Sequence, residues 1–200
     1  MNSGRLEAFS DGVIAIIITI MVLDLKVPTG SDFETLKPLL FKFLSYIMSF
    51  IYVAIYWNNH HQLFQAIEKV NGKTLWSNLM LLFFLSLIPF TSAWMGENDF
   101  DKNPVALYGV NLLMCALAWT VLSKISIQLE GKNSKIGQAM QNQTKEIIST
   151  VLYISGIVLS FFFPIISVCL YFAVALMWLI PDRRIEKKTD LKPNSVFTIS

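Results

Sequence analysis

Long blocks of apolar residues, separated by short polar connections, are the feature that most restricts how this chain can fold. The first block runs from Gly12 to Leu23, and apolar residues fill almost all of the stretch from Lys145 to Ile180. A helix that crosses a lipid bilayer needs roughly 20 mostly apolar residues, whereas a soluble core does not need such blocks. Only 15% of the 200 residues are charged, against about 25% in a typical soluble domain. The sequence therefore predicts an all-α integral membrane protein.

Six segments of the chain are predicted to be transmembrane helices. Pro28 closes the first, Pro89 predicts a kink or an early end in the third, and Pro104 suits the first turn of the fourth. The last long apolar stretch exceeds one span, and Phe161-Phe162-Phe163-Pro164 in its middle predicts a turn between two short helices. The predicted spans are residues 5–27, 36–64, 74–94, 104–127, 145–162 and 165–180, within a transmembrane domain of residues 1–182 that precedes a polar cytoplasmic tail of residues 183–200.

The distribution of lysine and arginine between the spans predicts their orientation. Cytoplasmic loops of membrane proteins carry an excess of both residues. With the N-terminus inside, the outer loops hold only Lys26, Lys37 and Lys102. The inner segments hold Arg5, Lys69, Lys73, Lys124, Lys132, Lys135, Lys145, Arg183, Arg184, Lys187, Lys188 and Lys192. We therefore expect a multi-pass protein of the cell membrane with both termini in the cytoplasm.

Composition and motifs exclude several functions. The net charge is only +2 and the basic residues form no patch, so nucleic acid is not an expected partner. Cys115 and Cys169 lie inside apolar blocks without a CxxC spacing, which favours two buried thiols over a disulfide or a metal site. The sequence contains no glycine-rich phosphate loop and no nucleophile elbow. We therefore expect no enzymatic activity and no cofactor.

One face of the first span is a stripe of branched apolar side chains with one hydroxyl. On a helical wheel of 100° per residue, Ile20 and Leu23 fall within about 40° of Ile16, and Thr19 lies about 60° to the other side. Such a stripe is a candidate ion path. Ordinary helix packing or lipid contact explains the stripe equally well, because the helix is apolar nearly all round.

A polar cluster marks the opposite face of the same span. Ser10 and Asp11 point more than about 115° away from Ile16. A charged group at the start of a span is costly unless it is paired or faces water, which makes it a functional candidate. The cytoplasmic ends of the first three spans lie at one depth, so the cluster can bond to residues there. The predicted network comprises Arg5, Ser10, Asp11, His60 or His61, and Asn78. In the alternative interpretation, Ser10 and Asp11 only cap the helix and the histidines face water.

These residues resemble the signature of a known family. They form the pattern R-x-x-x-F-S-D at Arg5, Phe9, Ser10 and Asp11, followed by Gly12-Val13-Ile14-Ala15-Ile16 and Thr19. The pattern is similar to that of the bacterial relatives of the lysosomal and endosomal transmembrane potassium channel. Two further stretches match, namely Trp57 with His60-His61, and Trp76-x-Asn78 leading to Leu87-Ile88-Pro89-Phe90. The resemblance covers the first three spans closely and the six-helix layout overall.

The resemblance implies a homotetramer of six-helix subunits in a bacterial membrane, with the first helix of each subunit lining a central pore for potassium and other monovalent cations. Apolar side chains would form the constriction, and this sequence lacks the TVGYG filter of ordinary potassium channels. The implied pore-lining residues are Ile16, Thr19, Ile20 and Leu23. The implied structural network comprises Arg5, Phe9, Ser10, Asp11, His60 or His61, Trp76 and Asn78. Permeating potassium is the only metal expected.

Three rival functions remain open at this point. The first is a proton-coupled transporter or proton pathway that uses Asp11 and His60, although glycine and proline lie mainly at segment ends, unlike the broken helices of transporters. The second is an intramembrane metal enzyme built on Asp11, His60 and His61. Adjacent histidines point about 100° apart on a helix, which suits chelation less well than a pair one turn apart. The third is a scaffold that does not conduct.

Overall fold

Helices make up most of the part of the chain that the computed structural model describes, residues 3–67, 70–131, 134 and 144–179. These residues contain no β-strand. In chain order the elements are α1 (Ser3–Leu23), a 3-10 helix (Phe33–Leu39), α2 (Leu40–Ala66), α3 (Gly72–Ser86), α4 (Ile88–Glu97), α5 (Lys102–Glu130), α6 (Thr144–Leu159) and α7 (Pro164–Leu179). Since α3 and α4 together make one candidate span, the described elements give six helical segments. The predicted all-α, six-segment fold class is confirmed.

The six segments differ in length. Four are long and apolar enough to cross a membrane, namely α1, the 3-10 helix with α2, α3 with α4, and α5. Helices α6 and α7 are described over 16 residues each, and each reaches a limit of the described residues, α6 at Thr144 and α7 at Leu179. The predicted tail of residues 183–200 lies outside the described residues.

Proline explains where the helices depart from the predicted spans. The third segment breaks at Leu87, and α4 restarts with Pro89 in its first turn, because proline has no N–H to continue the ladder. Pro38 lies in the 3-10 helix, so the α-helical part of the second segment begins only at Leu40. The final turn spans residues 160–163, and Pro164 opens α7.

The core of the subunit lies around α5, which packs against α3, α4, α6 and α7. Polar side chains join the helices inside this core. Ser49 donates a hydrogen bond to Ser92 over 2.8 Å, and Tyr52 donates one to the carbonyl of Tyr171 over 2.5 Å. Such bonds and close packing hold transmembrane helices together where lipid provides no hydrophobic driving force.

Two glycines allow α7 to approach its neighbours closely. The ring of Tyr171 fills the space that a Cβ atom would need at Gly109 of α5 and at Gly156 of α6. Both cysteines are free, as expected, and Cys115 is buried. The expectation that Cys169 is also buried is wrong, because it lies on the exposed surface of α7.

Helix α1 lies at the side of the bundle and packs against α2, α3 and α4. Its buried residues recur every three or four positions, at Leu6, Ser10, Ile14, Ile17 and Met21. This spacing matches the 3.6 residues of a helical turn, so a single stripe of α1 faces the bundle. Half-buried Glu7, Asp11, Val13 and Ile18 flank this stripe, and the side of the helix that carries Ile16 and Ile20 is exposed.

The two faces of helix α1

The predicted pore stripe lies on the exposed surface of α1. The exposed fractions are 60% for Ile16, 50% for Ile20 and 75% for Leu23. Ile14 and Ile17, which belong to the same apolar run, are only 1% and 3% exposed. The stripe is therefore not covered by the described part of the subunit. It is available to lipid, to another subunit or to a pore.

The hydroxyl of Thr19 is already satisfied inside the helix. Its Oγ1 atom donates a hydrogen bond to the carbonyl of Ala15 over 2.9 Å. Threonine often bonds back one turn in this way when it lies within a helix. The side chain is exposed, so its oxygen keeps a free acceptor direction on the stripe.

The stripe continues toward the N-terminal end of α1 through Phe9 and Gly12. Phe9 is 53% exposed. A Cβ atom added at Gly12 would meet nothing within 4 Å, so nothing in the described part of the subunit requires a glycine there. Phe9 was predicted as part of the polar network, but its ring lies on the exposed side.

A buried chain of hydrogen bonds joins α1, α2 and α3. Asn78 Nδ2 donates to Ser10 Oγ over 2.9 Å, and Asn78 Oδ1 lies 2.8 Å from His60 Nε2. Ser10 in turn donates to the carbonyl of Leu6 over 2.9 Å. Because Asn78 Oδ1 can only accept, His60 Nε2 carries the proton. All three linked side chains are fully buried, so each polar group needs the others.

A second group lies beside these hydrogen bonds, in which Glu7, Asp11 and His61 are half-buried while Trp57 and Gln65 are exposed. Trp57 Nε1 donates a hydrogen bond to Asp11 Oδ1 over 3.1 Å. The indole also stacks on the ring of His61, with 5.8 Å between the ring centres. His61 Nδ1 lies 2.7 Å from Glu7 Oε1, and His61 Nε2 lies 2.8 Å from Gln65 Nε2. The structure thus separates the two histidines, since His60 joins Asn78 and His61 joins Glu7.

Two residues of the predicted network lie elsewhere. Trp76 is 76% exposed and Arg5 is also exposed, and in the described part of the chain neither side chain bonds to the network. Helical geometry explains both positions. Trp76 is two residues before Asn78, or about 200° around α3, and Arg5 is about 140° from Ser10 around α1.

Glu7 and Trp57 are two of the contact residues that were not among the predicted sites. Glu7 lies one turn before Asp11, and Trp57 lies one turn before His61. Residues four apart share a helical face. This spacing was the available signal for including both residues.

Fold and site together define a class, the multi-pass helical membrane proteins. Residues 5–89 match the family described as "Endosomal/lysosomal potassium channel TMEM175". A potassium channel of Chryseobacterium sp. (strain P1-3) is 58% identical over 194 residues, which cover 97% of this chain and 100% of that relative. The chain belongs to the TMEM175 family. This confirms the predicted family, whose members are channels and not enzymes.

A solved structure and an animal relative extend the comparison. The crystal structure of a lysosomal potassium-selective channel TMEM175 homolog from Chamaesiphon minutus superposes with a TM-score of 0.75 and 25% identity, over 90% of this chain and 97% of that one. The "Endosomal/lysosomal proton channel TMEM175" of Danio rerio is 31% identical over 125 residues. Those residues cover 60% of this chain and only 23% of the fish protein.

Proposed function

We propose that the chain is the subunit of a potassium-permeable channel in the bacterial cell membrane, and that four copies surround a central pore lined by α1. The single observation that carries this proposal is the exposure of Ile16, Ile20 and Leu23 on a helix whose opposite face is buried. The family and the potassium channels among its relatives supply the class of ion.

The proposed constriction is a ring of four Ile16 side chains. Hydrophobic constrictions can gate by dewetting and need no fixed charge. A larger monovalent cation gives up its hydration water more readily, so an apolar ring favours potassium over sodium by a modest factor. Half-buried Asp24 follows the stripe and would raise the local concentration of cations at the outer mouth.

The buried chain of His60, Asn78 and Ser10 would hold α1 against its own subunit. A pore helix has to keep its orientation while ions pass, and rotation by one residue would replace Ile16 with Ile17. Breaking the buried bonds from Asn78 to Ser10 and His60 would leave polar groups without partners. These residues would therefore position the pore helix without touching the ion.

Gly12 supports a close approach between copies of α1. Glycine inside a helix costs about 1 kcal/mol relative to alanine, and the described part of the subunit does not need the missing side chain. Small residues let transmembrane helices approach each other closely. We therefore place Gly12 where α1 meets a neighbouring copy near the cytoplasmic end of the pore.

The orientation proposed for the subunit has both termini in the cytoplasm. It follows the excess of lysine and arginine in the inner segments. The network of Ser10, His60 and Asn78 then lies toward the inner leaflet. The ion pair between Lys42 and Glu97, with 3.0 Å between Nζ and Oε1, lies near the outer surface.

Proton permeation is the second candidate function, because the animal relatives are named proton channels. The route expected from the sequence used Asp11 and His60. In the structure Asp11 accepts from Trp57, whereas His60 bonds to Asn78. The two groups therefore share no direct bond. This geometry favours the potassium pore over that route.

Ion flux into liposomes tests the potassium pore. Purified protein should pass potassium down its gradient without a proton gradient. Ile16→Asn should raise the flux and reduce the preference for potassium over sodium, because a polar ring stays wet. Ile147 is the matched control, since it is 62% exposed on α6, and Ile147→Asn should leave flux and selectivity unchanged. Absence of potassium flux would refute the channel, and flux that requires a proton gradient would favour the transporter.

A further inference from the structure

We propose that Glu7, Asp11 and His61 form a binding site for one divalent transition-metal cation, such as Zn²⁺. One ligand atom from each of the three side chains lies within 4.8 Å of the other two. His61 Nδ1 is already 2.7 Å from Glu7 Oε1. This site is separate from the proposed ion path, because Glu7 and Asp11 lie on the side of α1 that faces His61 of α2.

The helical register brings the three ligands together. Glu7 and Asp11 are one turn apart on α1, so both carboxylates project from the same face. His61 reaches them from α2. Zinc binds nitrogen and carboxylate oxygen at about 2.0–2.2 Å in tetrahedral sites, which places ligand atoms about 3.3–3.5 Å apart. Small rotamer changes bring a group that spans 4.8 Å to this spacing, and water completes the coordination.

Two neighbouring side chains orient the ligands. Metal-bound histidine usually donates its other ring N–H to an acceptor. Gln65 lies in that place, with its amide 2.8 Å from His61 Nε2, and turning the amide presents its oxygen as the acceptor. Trp57 stacks on the His61 ring and donates to Asp11 Oδ1, which leaves Asp11 Oδ2 available to a metal.

The charge of the site also favours a divalent cation. Two carboxylates one turn apart on a helix repel each other, and a dication neutralises both while His61 stays neutral. The side chains of Glu7 and His61 are 18% and 38% exposed. A metal ion can therefore enter from water without crossing the core.

The site differs from the metal enzyme considered from the sequence. That hypothesis used Asp11 with both histidines, but His60 is fully buried and bonded to Asn78. In the proposed site Glu7 replaces His60 as the third ligand. A bound ion would tie the candidate pore helix α1 to α2 of the same subunit, so the site is a point at which a metal could set the position of α1.

Metal titration of the full-length, untagged protein tests the site directly. Metal-free protein in detergent is titrated with Zn²⁺ by calorimetry, and X-ray absorption at the zinc edge reports the ligand types. We expect one Zn²⁺ per chain, bound by nitrogen and oxygen only. His61→Ala and Glu7→Gln should each weaken binding about tenfold or more, since loss of even an outer-shell partner costs 10–100-fold.

Glu34→Gln is the matched control for Glu7→Gln. Glu34 is exposed and pairs with Lys37 on the 3-10 helix, so its removal should leave zinc affinity unchanged. Thermal unfolding without metal shows whether each variant folds. Wild-type protein that binds no Zn²⁺, zinc with sulfur ligands, or equal affinity in the wild type and a folded His61→Ala variant would each overturn the proposal. None of these readouts depends on ion conduction, so the channel proposal stands or falls separately.

Discussion

The two faces of helix α1 are built from similar residues but have different surroundings. The inward face buries Ile14 and Ile17 and links Ser10 to Asn78. The outward face carries Ile16 and Ile20, whose side chains are the same as those of Ile14 and Ile17 but are exposed in the described part of the subunit. In a membrane an exposed isoleucine costs nothing, because lipid is as apolar as a protein core. Burial within the subunit therefore separates residues that hold the fold from residues that are free to form a pore.

Truncation of one isoleucine on each face should separate stability from conduction most strongly. Ile14→Ala should lower the free energy of unfolding by about 3 kcal/mol, within the usual range for a buried isoleucine. Ile16→Ala should change the same free energy by less than about 0.5 kcal/mol but alter potassium flux. Denaturant unfolding in detergent micelles and liposome flux measure the two quantities. Equal losses of stability would contradict the difference between the faces.

Removal of the central amide should produce the next largest effect. Asn78→Ala leaves His60 and Ser10 buried without their partner, which should lower the free energy of unfolding by about 2 kcal/mol. Asn58→Ala is the control, because Asn58 is exposed on α2. The triple variant Ser10→Ala, His60→Leu, Asn78→Leu should recover part of the loss, since no polar group is then unsatisfied. Equal stability of Asn78→Ala and Asn58→Ala would show that the network does not stabilise the fold.

The half-buried group around Asp11 and His61 should tolerate substitution better than the buried hydrogen bonds of Ser10, His60 and Asn78. Trp57→Phe keeps an aromatic ring beside His61 but removes the donor to Asp11, and should lower the free energy of unfolding by about 1 kcal/mol. Thermal unfolding of Trp57→Phe and of Asn78→Ala shows which substitution destabilises the protein more. A larger loss for Trp57→Phe would mean that the main anchor of α1 lies near Asp11.

A substitution at Gly12 tests the outward face of α1 and should have the smallest effect on stability. Gly12→Ala should stabilise the isolated subunit by up to about 1 kcal/mol, because alanine is the better helix former and its methyl group meets no neighbour. The same change should weaken assembly, measured as the fraction of tetramer in light scattering. Gly72 also has free space around it but begins α3, outside the proposed contact between copies of α1, so Gly72→Ala should leave assembly unchanged. An undiminished tetramer fraction in Gly12→Ala would remove this contact from the proposal.

Much of the fold could be predicted because its causes are local. Apolar blocks mark the spans, and Pro89 predicts the break that separates α3 from α4. The helical wheel also separated Ser10 from Ile16 correctly, because rotation about one helix axis depends only on sequence spacing. These features require no knowledge of how helices pack against each other.

The residue contacts between helices were harder to predict. Adjacent residues such as His60 and His61 differ by about 100°, and only the rotation of α2 against α3 decides which one meets Asn78. The two other misses were avoidable from spacing alone, since Trp76 lies about 200° from Asn78 around α3 and Glu7 lies one turn before Asp11. Rotation between helices is set by packing along their whole length, which no short motif contains.

Cysteine accessibility tests most directly whether the outward face of α1 lines the pore. In a Cys169→Ala background, Leu23→Cys and Val22→Cys place a thiol on adjacent residues that are both exposed in the subunit but about 100° apart around the helix. A charged methanethiosulfonate reagent on both sides of the membrane should block potassium flux through Leu23→Cys and leave Val22→Cys conducting. Block of Val22→Cys alone, or of neither variant, would contradict the assignment of the pore to this face.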